Sequence, residues 1–229
     1  MKYYPIYLDI ANKRCVVVGG GEVAERKTQR LLKCGARVVV VGKKLTPFLE
    51  EKKNEGAIEH IAADYGASCL EGAFFVIGAT DRDEVNGRIS ADARARGIPV
   101  NIADDPARCD FILPAVFQQG DLAIAVSTGG KSPALAKKLR HEFTDRYGSE
   151  YAVLLDILGD LRKRVVAQGR SSAENRLLFE NIVDADILGA LREKNWGRVR
   201  EIVRGITGLE IEAARFPMGG RTEGQEGEK

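Results

Sequence analysis

The segment from Arg14 to Lys27 constrains the fold of this chain more than any other part of its sequence. It reads RCVVVGGGEVAERK, so four apolar residues, Cys15–Val18, lead into three glycines and a run of good helix formers. This order predicts a short buried strand, a tight turn and the start of a helix. Gly19, Gly21 and Ala24 match the spacing G-x-G-x-x-[GA], in which glycines permit the turn and the close approach of a pyrophosphate.

A dinucleotide site is therefore predicted at this turn. Its phosphates would bind the free N–H groups at the positive end of the helix. A second β-branched strand, Arg37–Val41, follows the glycine at Gly35, and this context favours a bound dinucleotide over a purely structural turn. The predicted contacts are the consecutive residues of the turn, Gly19, Gly20, Gly21, Glu22, Val23 and Ala24.

The residues after the second strand leave the choice of dinucleotide open. A carboxylate about 20 residues past the glycines usually binds the ribose hydroxyls of NAD, whereas this chain has Gly42, Lys43 and Lys44 there. The two lysines either admit the 2'-phosphate of NADP or are solvated residues ahead of a helix. Both lysines are included among the candidate cofactor contacts. NAD is the expected cofactor, and NADP is an open alternative.

Two later strands bring further candidates to the same edge. A predicted strand, Phe74–Ile77, is followed by Ala79, Thr80 and Asp81, at the carboxyl end where ligands bind in open parallel sheets. The alternative role of Thr80 or Asp81 is to cap the next helix.

The strand Ile98–Ile102 then delivers Asp104 and Asp105 near the expected nicotinamide ring. An ionised aspartate there can accept a proton while hydride leaves to NAD. Turn formation before Pro106 is the alternative.

The alternation of strands and helices from Arg14 to Ile102 predicts the fold class. It is α/β, a Rossmann-type doubly wound parallel sheet followed by a small α+β segment and a C-terminal helical segment. A leading strand is also predicted at Pro5–Leu8. The expected domains are an NAD-binding Rossmann domain at 1–113, a dimerisation and substrate-binding segment at 114–148, a helical domain at 149–216 and a disordered tail at 217–229.

The segment after the Rossmann domain carries a second candidate anion site. Two apolar strands, Phe111–Phe117 and Leu122–Val126, are too few to bury both of their faces, so they are expected to join another sheet or a second subunit. A Ser/Thr/Gly loop follows at a helix start with basic residues behind it, which suits carboxylates or phosphates. An ordinary capped helix is the alternative. The loop residues are Ser127, Thr128, Gly129, Gly130, Lys131 and Ser132.

Composition excludes several classes of function. A net charge of +2 over 229 residues argues against a nucleic-acid or membrane-surface binder. The four cysteines are widely spaced, and the two histidines, His60 and His141, lack metal-ligand spacing, so no metal site is identified. His60 is expected to be exposed. No apolar run is long enough to span a bilayer and no signal peptide is recognisable, so a cytoplasmic location is expected.

Four motifs in this order resemble the precorrin-2 dehydrogenase/sirohydrochlorin ferrochelatase family. They are VVGGGEVAERK, GATDRDEVN, NIADDPARCDFILPA and AVSTGGKSPALAKKLR, and the resemblance extends from about Tyr4 to Tyr147. It implies a homodimer that removes two hydrogens from precorrin-2 with NAD, giving sirohydrochlorin. Many members then insert Fe2+. By this resemblance Asp104 is the proton acceptor in both steps, and Ser127 and Thr128 belong to the loop that binds a tetrapyrrole with several carboxylates.

Two other functions stay open. One is an NAD-sensing regulatory dimer without catalysis, which would usually carry a basic DNA-reading segment that is not visible here. The other is a dehydrogenase of a small hydroxy acid, which would be expected to place a histidine or lysine beside the carbonyl.

Overall fold

The structure is a computed structural model that describes residues 2–217. The chain divides into two compact units, Met1–Leu113 and Pro114–Lys229, and each is described by itself. Within residues 2–217, no helix combines the length and the apolar character that crossing a membrane requires.

The first unit alternates strands with helices around one parallel sheet. The strand order is β3-β2-β1-β4-β5, which confirms the predicted Rossmann-type topology. Val16 on β1 lies opposite Val39 on β2 and Val76 on β4. The elements are β1 (Arg14–Val18), α1 (Glu22–Lys33), β2 (Arg37–Val41), α2 (Pro47–Asn54), β3 (Ile58–Ile61), β4 (Phe75–Gly78), α3 (Asp83–Ala95) and β5 (Val100–Ile102), with 3-10 turns at Ala67–Leu70 and Pro106–Arg108.

Both faces of this sheet are buried, as its nearly continuous valine runs predict. Alternate residues of each strand point to opposite faces. Cys15 and Val17 therefore pack with Leu31 of α1 in one cluster. Val16 and Val18 pack with Ile89 of α3 in the other. The helices thus cover the two faces, which makes the sheet doubly wound.

The predicted leading strand at Pro5–Leu8 is wrong. The segment contains no strand, and Tyr4, Ile6 and Tyr7 are exposed. The segment leads into β1, and β1 already pairs with β2 on one side and β4 on the other. A strand beside β1 would therefore have no free position for its hydrogen bonds.

The second unit combines a two-stranded antiparallel sheet with five α-helices and a 3-10 turn, Ala213–Arg215, among its described residues. Its strands are β6 (Ala115–Gln119) and β7 (Leu122–Val126). The predicted first strand starts too early, because Pro114 has no N–H to pair and the Phe111 ring packs 5.3 Å from that of Phe75. The helices are α4 (Pro133–Arg146), α5 (Ser149–Val166), α6 (Ser172–Asp184), α7 (Ile187–Arg192) and α8 (Trp196–Thr207).

The core of this unit is helical. Ile157 and Leu161 of α5 pack with Ile182 of α6, Leu191 of α7 and Val203 of α8. The predicted roles of the segments at 114–148 and 149–216 stay predictions, and the predicted disordered tail lies outside the described residues from position 218 onward.

Candidate functional site

The glycine turn after β1 is enclosed by backbone on two sides. A Cβ at Gly19 would collide with the carbonyl oxygen of Ala79, and φ at Gly19 is +126°. A Cβ at Gly20 would collide with the carbonyl oxygen of Lys44. Because the neighbouring atoms are backbone and cannot rotate away, only glycine fits either position.

Hydrogen bonds join the turn to the elements on both sides. The Gly19 N–H donates to the Val41 carbonyl at 2.8 Å, and the Thr46 N–H donates to the Gly20 carbonyl at 3.0 Å. The Ala79 N–H donates to the Val18 carbonyl at 2.7 Å. The structure thus brings together three of the predicted groups at one sheet edge: the glycines, the lysine loop and the end of β4. The order of the strands reverses between β1 and β4. In open parallel sheets, ligands bind in the crevice at the carboxyl ends of the strands where this reversal occurs.

The start of α1 is built differently from that of α2. Thr46 caps α2 by accepting a hydrogen bond from the Leu49 N–H at 3.3 Å. The cap of α1 is Gly21, which has no side chain to offer, and Ala24 in the first turn is fully buried against the sheet. The N–H groups of Glu22 and its two successors therefore suit an external acceptor such as a pyrophosphate.

The end of β4 is ordered by a small network around Thr80. Its hydroxyl donates to Asn86 Oδ1 at 2.9 Å, and Asn86 Nδ2 donates to the Thr80 carbonyl at 2.9 Å. The cap position of α3 is Arg82, so the alternative that Thr80 or Asp81 caps this helix is wrong. Asp81 is exposed next to this network.

The lysine loop contains an ion pair that sequence reasoning missed. Lys43 Nζ lies 2.6 Å from Asp64 Oδ2, and each side chain is 65% exposed. The hydrogen bond and the charge of Lys43, with a smaller effect from Arg82, lower the pKa of the Asp64 carboxyl. Asp64 follows β3, and no local pattern around it signals a ligand contact. Lys44 is exposed.

His60 supports the same loop from β3. It is half-buried rather than exposed as predicted, and its Nε2 lies 2.8 Å from the carbonyl oxygen of Gly42. The ring faces the end of β2, where the Gly42 carbonyl accepts its hydrogen bond. His60 therefore links β3 to the residue that precedes Lys43.

Asp104 lies at the same edge in an unusual conformation. The loop begins where the Ala103 N–H donates to the Gly78 carbonyl at 2.8 Å. Asp104 then takes φ +61°, in the left-handed region that aspartate tolerates better than most residues. Within residues 2–217 its carboxylate has no hydrogen bond or ion pair, and the residue is exposed.

The next residue, Asp105, stabilises the turn that follows. Asp105 Oδ1 accepts a hydrogen bond from the Ala107 N–H at 3.1 Å, and Asp105 Oδ2 lies 3.2 Å from Arg108 Nε. Arg108 also reaches Asp83 with two nitrogens, at 2.6 and 3.2 Å. The turn alternative thus applies to Asp105, whereas the Asp104 carboxylate is left available for chemistry.

In the second unit, the Ser/Thr/Gly loop is preformed by its own side chains. Ser127 Oγ accepts from the Gly129 N–H, and Thr128 Oγ1 accepts from the Ser132 N–H, both at 3.1 Å. Gly129 and Gly130 have φ of +62° and +82°. Ser132 caps α4 through the Leu135 N–H at 3.2 Å. The helix is therefore capped as in the alternative interpretation, and Lys131 within the loop is exposed.

Metal ligands are not grouped in the described part of the chain. Residues 2–217 contain no set of three or more histidine, cysteine, aspartate or glutamate side chains that could hold an ion.

Comparison with protein families gives two consecutive matches. Residues 6–115 match a family described as putative NAD(P)-binding, and residues 119–146 match the central domain of sirohaem biosynthesis proteins. The first match agrees with the geometry of the glycine turn, and the second covers the Ser/Thr/Gly loop.

Curated relatives match most of this chain. Siroheme synthase 1 of Aeromonas salmonicida is 40% identical over 82% of the chain and 40% of the relative. The siroheme synthase of Methylobacillus flagellatus is 35% identical over 90% of the chain and 45% of the relative. The chain thus spans less than half the length of these relatives.

A solved structure agrees with the fold along the chain. SirC, described as a precorrin-2 dehydrogenase, superposes with a TM-score of 0.74 at 25% identity, over 90% of this chain and all of SirC. The domain matches, the relatives and this fold therefore agree: the chain belongs to the sirohaem-biosynthesis family that includes these siroheme synthases and SirC.

Proposed function

We propose that this chain oxidises precorrin-2 to sirohydrochlorin with NAD as the hydride acceptor. The observation that carries the proposal is Asp104, an exposed carboxylate on a left-handed backbone, at the sheet edge that holds the glycine turn. The names of the siroheme synthase relatives and of SirC support the choice of substrate. The proposed reaction draws on the cytoplasmic NAD pool, and a cytoplasmic location is part of the proposal.

The geometry of the turn supports the proposed cofactor contacts. Gly19 and Gly20 let the turn pack against the backbone of Ala79 and Lys44, the space beside Gly21 is open, and the start of α1 offers N–H groups to the phosphates of the dinucleotide. The proposed contacts at β4 are Ala79, Thr80 and Asp81. NAD, when bound, supplies the acceptor for the hydride.

Asp104 takes the proton that accompanies the hydride. Removal of two hydrogens from the substrate transfers one as hydride and one as a proton, so a base is needed beside the reacting carbon. Among the described residues, no hydrogen bond or ion pair competes for the Asp104 carboxylate. Asp105 is engaged in its turn and is not assigned this role.

The loop from Ser127 to Ser132 binds carboxylates of the tetrapyrrole in this proposal. Its two glycines hold the backbone in left-handed conformations, and Lys131 adds a positive charge. Anionic groups are stabilised by such a loop at the start of a helix.

We also propose a homodimer through the second unit. Leu135 on α4 and Val116 on β6 are 47% and 42% exposed, and the sheet of this unit consists of two strands among the described residues. A two-stranded sheet is marginal by itself, so a second copy that covers this apolar surface would stabilise it.

Insertion of Fe2+ into sirohydrochlorin is a second candidate activity. The available carboxylate of Asp104 favours it, because metal insertion also requires protons to leave the macrocycle. Iron is the substrate of that step. Purified protein that fails to accelerate Fe2+ or Co2+ insertion into sirohydrochlorin would remove this candidate.

The test of the dehydrogenase uses wild-type protein and Asp104→Asn under anaerobic conditions. Precorrin-2 and NAD are supplied, and NADH and the sirohydrochlorin spectrum are followed together. We expect coupled formation of both products by the wild type and at least about a hundredfold loss in the variant, which is typical of losing a general base. NAD binding should be retained by both.

Two outcomes would contradict the proposal. Wild-type protein that binds NAD yet leaves precorrin-2 unchanged would favour the NAD-sensing dimer. Full activity in Asp104→Asn would remove Asp104 as the proton acceptor while leaving the dehydrogenase in place.

A further inference from the structure

The sheet edge beside the glycine turn has a carboxylate that follows β3, whereas the usual position for an acid is the end of β2. In the sequence, β2 is followed by Gly42 and Lys43 instead of an acid. In the structure, Asp64 from the end of β3 reaches across to Lys43, with Nζ and Oδ2 2.6 Å apart. The edge therefore has a negative charge at a place where sequence reasoning finds only positive ones.

This pair lies where the adenosine ribose of a dinucleotide binds in such folds. A Cβ on Gly42 would lie 3.4 Å from the backbone of both Gly19 and Gly20, so the end of β2 touches the glycine turn. Val41 and Ile61 are paired in register, and the Gly42 N–H donates to the Ile61 carbonyl at 3.0 Å. The residue that binds the ribose hydroxyls normally stands at this end of the second strand.

We propose that Asp64, positioned by Lys43, selects NAD over NADP. Its carboxylate accepts hydrogen bonds from the ribose hydroxyls of NAD and repels the 2'-phosphate of NADP. The inference rests on the proposed use of a dinucleotide at the glycine turn, and it assigns Asp64 the role that an acid at the end of β2 has in other NAD-binding folds.

The charges around the pair explain why a lysine at the end of β2 does not by itself attract a 2'-phosphate. Lys43 is neutralised by its ion pair with Asp64. Lys44 and Arg82 are the other cations of the neighbouring loops, and Arg82 is near enough to help lower the pKa of Asp64. With Asp64 ionised, an added phosphate would lie against a like charge at close range, a repulsion worth about ten- to a hundredfold in affinity.

The arrangement also predicts what happens when the carboxylate is removed. Asp64→Asn keeps the shape of the side chain but releases Lys43 from its partner. Lys43, Lys44 and Arg82 would then face the dinucleotide without an opposing charge. Both residues of the pair are largely exposed, so these changes are not expected to disturb the fold.

The experiment measures binding of NAD and of NADP to the full-length protein by isothermal titration calorimetry. The variants are Asp64→Asn, Lys43→Ala and the double variant. Glu55→Gln is the matched control, because it removes a carboxylate from another exposed ion pair of the first unit, 2.8 Å from Lys52 Nζ.

We expect wild-type protein and Glu55→Gln to bind NAD at least about tenfold more tightly than NADP. Asp64→Asn should bind NADP about ten- to a hundredfold more tightly than wild type and NAD several-fold more weakly. The double variant should lose the gain for NADP, since Lys43 is then missing.

Other results overturn the inference in distinguishable ways. If wild type binds NAD and Asp64→Asn leaves both affinities unchanged, the inference is wrong and the proposed function stands. If wild type prefers NADP, the inference is wrong, and the proposed dehydrogenase stands only with NADP in place of NAD as its hydride acceptor. If wild type binds neither dinucleotide, the inference and the proposed dehydrogenase both fall.

Discussion

The Cys109 sulfur lies 3.1 Å from the carbonyl oxygen of Asp105, and this contact closes the loop that carries Asp104. The same sulfur accepts a hydrogen bond from the Ile102 N–H at 3.1 Å. Burial raises the pKa of the Cys109 thiol, so it stays a neutral donor at physiological pH. Both ends of the loop are thus held by one side chain.

We expect Cys109→Ala to lower kcat about tenfold while the Kd for NAD changes little, because the loop that carries the base loosens and the glycine turn does not. Loss of the thiol contacts should also lower the free energy of unfolding by about 1–2 kcal/mol. Steady-state kinetics, calorimetric NAD binding and urea unfolding test this, with the exposed Cys34→Ala as control. A Cys109→Ala enzyme with wild-type kcat would contradict it.

Two substitutions in the glycine turn should distinguish an effect on stability from an effect on dinucleotide binding. Gly19→Ala meets the Ala79 carbonyl and a φ of +126°, so it should lower stability by several kcal/mol. At Gly21 a Cβ has no atom within 4 Å, and φ is −88°. Gly21→Ala should therefore fold normally but bind NAD at least about tenfold more weakly, because the methyl group hinders the pyrophosphate.

Thermal unfolding and NAD titration distinguish the two glycine variants. Equal loss of stability in both would contradict the enclosure of Gly19. Unchanged NAD affinity in Gly21→Ala would contradict a pyrophosphate at this turn.

The left-handed conformation of Asp104 decides which substitution is informative. With φ at +61°, Asp104→Ala should cost about 1–2 kcal/mol of stability in addition to losing the base. Asp104→Asn should unfold like the wild type, since asparagine tolerates this region. Chemical unfolding of both variants tests this, and equal stability of the two would argue against the strained backbone.

Alkaline stability should depend on Cys15. This thiol is fully buried in β1, and burial, with a smaller effect of Cys34, raises its pKa from 9.0 to about 11. The unfolded chain therefore loses this proton first as pH rises. The stabilisation is complete below about pH 9 and is lost by about pH 11.

Unfolding by urea at pH 8 and at pH 10.5 measures this effect. We expect the wild type to lose more stability between the two pH values than Cys15→Ala, which is less stable at both because of the cavity. An identical pH dependence in wild type and variant would exclude Cys15 as a source.

The proposed dimer surface predicts a change of oligomeric state. Leu135→Asp should convert a dimer to a monomer, because a charge on the proposed interface would be desolvated without a partner. Leu177→Asp is the control, since Leu177 is 57% exposed in the same unit but belongs to a different helix, α6. Analytical ultracentrifugation distinguishes the states, and a monomeric wild type would contradict the proposal.

Much of the first unit follows from local sequence. The β-branched runs at β1 and β2 and the glycines that bound them predict the strands within a residue or two, because each strand is buried on both faces. Gly19 is also predictable, since its turn requires a conformation that few other residues adopt. Pro5–Leu8 shows the limit of such patterns, because strand propensity cannot provide a pairing position beside β1, which is already paired on both sides.

Relationships among side chains from distant parts of the chain were decided by the tertiary structure. Asp64 reaches Lys43 because β3 lies beside β2, and Arg108 reaches Asp83 because β5 ends next to the start of α3. Sequence spacing of 21 or 25 residues has no signal for such pairs. The sequence by itself thus determined the fold class, the glycine turn and the two candidate acids after β5. Only the packed sheet decided that Asp104 is available and that Lys43 has an acidic partner, because strand order sets which loops meet at one edge.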